Sequence, residues 1–484
     1  MDAELLSRIQ FAITVMFHMT FPAITVGISV FLCIVFGMYW RTRKPVYLQM
    51  FRFWRRIFAV GFALGVVAGI VITFELGLNW AGFAAKTGAI LGPIIGMEVV
   101  TAFFVEASFL GVLLYGDGKV KPRTMFAATV MVAIGTILSS TWILVANSWM
   151  QSPAGYEVDD NGSFVPTDWW KIIFNPSFLW RWPHMLVAVL VSAAAVISGI
   201  SAYYLIKNRA RDFARRSLSI GLGILAVLMP VQIALGDSVA AKFVAAYQVT
   251  DDGLPSKLIA FEGHWSSTSN GYVFFAIPDE SEDKNLLELI VPYLGSAIGT
   301  HDLSGATTTP GLDLISEADR PPVLLTYWGF RLMFYGSVVL FASGFISLVL
   351  RLRHRLYDSH RFHTWLLWTT PVGIIAILGG WLTAEVGRQP WVVWGELKTA
   401  DAFADLDPWT VLLSGIGFVA VYATLLTAYV VFIVKTVRRG PERDAEVPEV
   451  IETDGSDGWL VPAAPPWHDE EQLRRDELTG TGAL

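Results

Sequence analysis

The chain has 484 residues, 54% of them hydrophobic and only 16% charged, with a mean hydropathy of +0.51 and a formal net charge of -7. A soluble domain carries about 25% charged residues, so the composition excludes a soluble globular protein, and long uninterrupted apolar runs favour membrane helices over a barrel. The single cysteine, Cys33, excludes an intrachain disulfide, and the absence of Cys-x-x-Cys-His excludes haem attached covalently through the usual motif.

At about 20 residues per span, the sequence predicts an all-α polytopic membrane protein of about nine transmembrane helices, over residues 10–38, 54–76, 92–115, 124–149, 178–206, 217–240, 323–350, 363–385 and 409–436. The first apolar run is too long for a signal-peptide core and lacks a basic leader, so no cleaved signal is expected. Basic residues cluster in alternate connections: Arg41 to Arg56, Lys119 to Arg123, Lys207 to Arg216, Arg351 to Arg361, and Lys435 to Arg439. By the positive-inside rule these are cytoplasmic, which places the N-terminus outside and the C-terminus inside. The connection 241–322 is far longer than a tight turn and is expected to be partly folded and functional. Residues 441–484, acidic and Pro-rich, read as a disordered cytoplasmic tail.

Ionisable groups inside a span are costly and mark function. In the first span stands His18, and near the start of the fifth His184 follows Trp180-Arg181-Trp182-Pro183. An imidazole in lipid needs a partner, either a neighbouring helix or a metal such as haem iron. Met333 lies about ten residues into the seventh span, a depth similar to that of His184 at about 1.5 Å per residue, and a His and Met pair gives a low-spin haem. Arg331, two residues earlier, fits either a haem propionate or a loop carboxylate.

The third span carries Glu98 and Glu106, about 12 Å apart along a regular helix and about 80° apart around it. Such a stepped pair suits a proton route, a cation site, or ligation of iron by Glu98. Ser139, Ser140 and Thr141 of the fourth span either continue that route or bond back to their own backbone. Glu385 lies at the lip of the eighth span, where it is either a weak axial ligand or the partner of Arg388, and Trp381 and Trp391 flank it. In the long loop Lys257 and Glu262 are placed on a short helix, as a donor and base for a ring alcohol or as a solvated surface pair.

These residues coincide with a known pattern. Over residues 1–440 the chain resembles subunit I of the cytochrome bd-type quinol oxidases. The resemblance rests on Gly387-Arg-Gln-Pro-Trp391 with Glu385 and Trp381 before it, Phe330-Arg-Leu-Met333, the Glu98 and Glu106 pair, His18, and Lys257 with Glu262. It implies a haem-binding transmembrane domain over 1–440, with 241–322 as an extracytoplasmic quinol-binding loop of the short type. It implies two b-type haems, one low-spin and one high-spin, and one d-type haem. His184 and Met333 would hold the low-spin haem, and His18 and Glu385 the two high-spin ones. Arg331 and Arg388 would steady propionates beside Trp391, Trp381 would lie between haems, Glu98 and Glu106 would carry protons, and Lys257 and Glu262 would meet the quinol. Quinol, either menaquinol or ubiquinol, would be oxidised outside and O2 reduced to water with protons taken from the cytoplasm, without a true pump. A second large membrane subunit, and often a small single-helix one, would complete the complex in the bacterial plasma membrane; no nucleic acid is implied. Two other readings are a b-type cytochrome that never meets oxygen and a secondary transporter using the buried glutamates.

Overall fold

In the computed structural model of the chain, residues 2–442 are described except 251, 268–270, 300, 301, 303 and 305–309. The tail expected over 441–484 lies outside the described residues from 443 onward.

The first span is two helices, α1 (Ala3–Thr20) and α2 (Pro22–Thr42). Asp2 starts it by accepting a hydrogen bond from the Glu4 backbone at 2.9 Å, and Pro22, which has no N–H to give, interrupts it in mid-membrane. Helix α3 (Pro45–Leu78) returns. The third span is α4 (Ala81–Glu98), a π-helical turn Val99–Phe103, and α5 (Phe104–Tyr115). After α6 (Pro122–Gln151) come a hairpin of β1 (Tyr156–Val158) and β2 (Phe164–Pro166) and a short α7 (Trp169–Ile173). Helices α8 (Phe178–Ile206) and α9 (Arg211–Val239) follow, the latter continuing through a second π-turn into α10 (Ala245–Tyr247). The long connection holds α11 (Ser256–Glu262), the antiparallel pair β3 (Tyr272–Asp279) and β4 (Lys284–Val291), and α12 (Leu294–Gly299). Then come α13 (Val323–Leu352), α14 (His360–Trp368), α15 (Val372–Val386), a small pair β5 (Trp391–Val393) and β6 (Leu397–Lys398), and α16 (Pro408–Arg439).

Nine helical segments among the described residues are long and apolar enough to cross a membrane, in the predicted order. Several start earlier than hydropathy places them, because charged turns stay helical where they find partners. Arg52 and Arg55 lie within α3 and bond Asp117 beyond α5, Arg52 at 2.6 Å. The sixth span runs through Tyr247, so the first residues assigned to the long loop are helix.

Contacts sort the connections into two ends. At one, the loop end, the Trp394 backbone bonds the Met150 carbonyl, Ala404 bonds Asn79, and Lys257 reaches Ala384. At the other, the basic end, Arg209 bonds the carbonyls of Arg438 and Arg439, and Arg351 bonds Ser219. Close helix approach depends on missing side chains. A Cβ on Gly329 would stand 2.8 Å from the Gly379 carbonyl, which locks α13 against α15.

Candidate functional site

A buried polar knot closes the loop end of the bundle, built by the last turns of α6 and α15, the first turn of α8, and α11. Glu385 accepts from Asn147 at 3.0 Å and Gln151 at 3.2 Å through one oxygen and from Arg388 at 2.6 Å through the other. Asn147 in turn accepts from Arg181. Gln151 sits at the centre: its amide nitrogen donates to Glu385 and to the Ala384 carbonyl, while its oxygen accepts from Lys257 at 2.8 Å and Gln248 at 2.6 Å. Arg388 is buried, and its Nε and Nη1 find no partner among the described residues. A guanidinium held this way is a ready receptor for another anion.

Three candidate iron ligands each lie against a glycine of a neighbouring helix. A Cβ on Gly69 of α3 would come within 3.3 Å of the His18 ring, whose Nδ1 lies 3.1 Å from the Gly65 carbonyl. A Cβ on Gly236 of α9 would come within 3.2 Å of the His184 ring. Across that ring lies the Gln232 amide, 3.3 and 3.4 Å from its two nitrogens. Met333 presents its sulfur to Gly380 of α15, where a Cβ would stand 2.8 Å away. Trp381, the next residue, packs against the apolar cluster that includes Val15 and Met19 of α1 and Val189 of α8.

Lys257 and Glu262 do not meet. Five residues on a helix turn about 140°, so Lys257 enters the knot while Glu262 faces α13. Burial holds the Lys257 ammonium well below its usual range, with Glu385 opposing that shift. Burial also pushes the Glu262 carboxyl up to about 7 against the pull of Arg331, and its Oε2 has no partner among the described residues. Arg331 is fully buried and gives its guanidinium to the loop: Nε and Nη2 to the Val273 carbonyl, Nη1 to Phe261, and Nη2 also to the Glu262 backbone at 3.1 Å. The rings of Tyr327, Tyr272 and Phe330 lie 4.3, 4.6 and 5.3 Å from its guanidinium.

Glu98 and Glu106 differ from the regular-helix expectation. The π-turn between them adds a residue and rotates Glu106 back by about 100°, so both carboxylates face α6. Glu98 accepts from Ser139 at 2.7 Å, and the Glu106 side chain occupies the space left by Gly135, one turn away on the same face of α6. Ser140 bonds back to its own helix, as does Thr141, which also accepts from Trp182. Trp391 lies in β5 under the Lys398 ammonium, 5.2 Å from its ring centre.

The family model for cytochrome bd terminal oxidase subunit I matches residues 6–441. Cytochrome bd ubiquinol oxidase subunit 1 of Bacillus subtilis is 30% identical over 466 residues, covering 94% of this chain and 97% of that protein. Cytochrome bd-II ubiquinol oxidase subunit 1 of Escherichia coli is 32% identical over 505 residues, covering 90% and 96%. The solved bd oxidase of Geobacillus thermodenitrificans superposes with a TM-score of 0.81 at 30% identity, over 91% of this chain and 99% of that one.

The chain belongs to the cytochrome bd subunit I family. It is therefore a subunit of a quinol:oxygen oxidoreductase, a haem-carrying enzyme of electron transport in a bacterial plasma membrane, and it works with a subunit II. The residues present fit haem. The knot offers a carboxylate and an arginine with two unpartnered donors for a propionate, and the imidazoles and thioether are of the types that iron takes. The transporter reading ends with the family assignment. The sequence reading missed Asn147, Gln151, Arg181, Gln232 and Gln248. Polar side chains at four-residue spacing within apolar spans, Asn147 with Gln151 above all, carried the same signal as the glutamates.

Proposed function

We propose that this cytochrome bd subunit oxidises quinol at the loop end, outside the membrane, and serves the reduction of O2 with two b-type haems and one d-type haem as its cofactors. His184 and Met333 would hold the low-spin b haem, and His18 and Glu385 the two high-spin haems. When bound, the haems supply one-electron transfer and the iron at which oxygen is reduced. The observation that carries the reading is Arg388, buried beside Glu385 with two guanidinium nitrogens free for a propionate. Arg331 steadies a second propionate through its remaining donor while it fixes the loop, Trp391 borders the cofactor, and Trp381 lies between haem positions.

Quinol oxidation releases protons, and α11 provides the group to take them. Glu262, raised to about 7 and lacking a partner on Oε2 among the described residues, accepts a proton from a quinol hydroxyl; Lys257 orders the same helix against the knot. Two quinols give four electrons and four protons at the loop end, and reduction of one O2 to two waters consumes four protons from the basic end. Glu106 and then Glu98, aligned on one face of α6, move those protons. Charge separates across the membrane without a pump. The complex includes subunit II and a small single-helix subunit, and the quinol is menaquinol or ubiquinol.

Oxygen uptake by the purified complex with short-chain menaquinol and ubiquinol tests this. Glu262→Gln and Lys257→Met are expected to lower quinol-driven uptake at least tenfold with haem content unchanged. Uptake unchanged in both variants would contradict the assignment of quinol oxidation to α11.

A further inference from the structure

An antiparallel pair with one face on protein and one on water alternates apolar and polar residues. The β3–β4 hairpin departs from this. Its inner face sets Val273 and Ala276 against Tyr327 of α13. On the other face Ile277 pairs with Leu287, and Leu289 pairs with Phe275, whose ring is half-buried against Trp328; Leu287 and Leu289 are 59% and 56% exposed, and Leu286, at the register shift between these pairs and the tip, is 61% exposed. Val291 and Tyr293 extend the exposed set.

The hairpin lies along the first turns of α13. Its tip meets the helix start, where the Leu324 backbone donates to Glu280 at 3.2 Å. Farther down, Phe275 packs on Trp328 with ring centres 5.3 Å apart, and at the base the Tyr335 hydroxyl donates to the Phe274 carbonyl with the rings 5.1 Å apart. About 20 residues of helix cross the hydrocarbon, so counting back from Arg351 at the basic end puts the loop-side boundary near Arg331. Tyr335 lies within it, and the base of the hairpin is therefore at lipid depth. Charge follows the same axis: Asp279, Glu280, Glu282, Asp283 and Lys284 crowd the tip, while the exposed apolar residues continue onto Leu332, Val338, Phe341 and Phe345 of α13. One charge, Glu288, lies midway and is bonded by Asn285 at 2.8 Å.

We propose that the hairpin is a monotopic foot, its outer apolar face seated in the acyl region of the loop-side leaflet and its charged tip in water. Lipid is the occupant favoured by the continuity of this face with the membrane surface of α13 and by the tip-to-base gradient of charge. The foot holds Glu262 and Arg331, bonded to the same strand at Val273, at the level where a lipid-borne substrate travels.

The test places single nitroxides at Leu287→Cys, Leu289→Cys and Glu282→Cys, each with Cys33→Ser, in the assembled complex in phospholipid nanodiscs. Relaxation by O2 is expected to exceed that by a water-soluble nickel chelate several-fold at 287 and 289, with the order reversed at 282. Strong relaxation by the chelate at 287 and 289 would overturn the proposal by showing a water-facing hairpin. Protection from both agents would overturn it by showing a protein cover, such as a partner subunit. Should the cysteine variants not assemble, the unaltered complex is photolabelled with a diazirine placed in the lipid acyl chain. Adducts within 286–291 support the foot; adducts on Phe341 and Phe345 without any in the hairpin overturn it.

Discussion

Glu262 and Lys257 share one short helix and answer to different neighbours. The sequence placed both on a helix in the long loop, and α11 is that helix, but it spoke of them as a pair. Nothing in the local pattern says that Lys257 turns inward to Gln151 and Ala384 while Glu262 faces Arg331, since that depends on where α6, α13 and α15 end. The separation assigns the proton work to Glu262. A carboxylate is a base only when deprotonated, so with its carboxyl near 7 the rate of quinol oxidation is expected to rise with pH through about 7 and to lose activity below. In Glu262→Gln that limb disappears from the kcat/KM profile of the purified complex. An unchanged limb in the variant would move the titration to another group.

At the scale of elements, the nine spans were legible because length and apolarity determine them. The turns that set phase were not. A single extra residue in the π-turn Val99–Phe103 brings Glu98 and Glu106 onto one face of α6, where a regular helix would have separated them by about 80°. The end of α6 gives a comparable case. Asn147 and Gln151 are ordinary polar residues in sequence, yet Gln151 ties α11 to Glu385 through Lys257 on one side and the carboxylate on the other. Removing one partner from a buried hydrogen-bonded group costs about 1–3 kcal/mol. Gln151→Met is therefore expected to destabilise the loop end by about that amount and to raise the KM for quinol. Because Lys257 acts through the same contact, a Gln151→Met, Lys257→Met double variant should cost little more than either single change. Thermal unfolding and quinol kinetics on the four proteins check this; strictly additive losses would mean that the two residues act apart.

For the whole molecule, function depends on what the bundle surrounds. Composition and hydropathy led to a helical membrane protein, and the family model covers residues 6–441 of it. The clustering of Glu385, Arg388, Arg181 and Lys257 at one end joins residues more than two hundred positions apart, which no window of sequence contains. The positions of His18, His184 and Met333 against Gly69, Gly236 and Gly380 also arise only when helices pair. These placements have one purpose in the proposed function, to hold low-spin and high-spin haems, one of them open to a small gas. A reduced-minus-oxidised absorption spectrum of the purified complex, repeated with carbon monoxide, tests that most directly. Bands of b type together with a chlorin band in the red that shifts with carbon monoxide are expected. Bands of b type alone, indifferent to carbon monoxide, would contradict the proposed haem set.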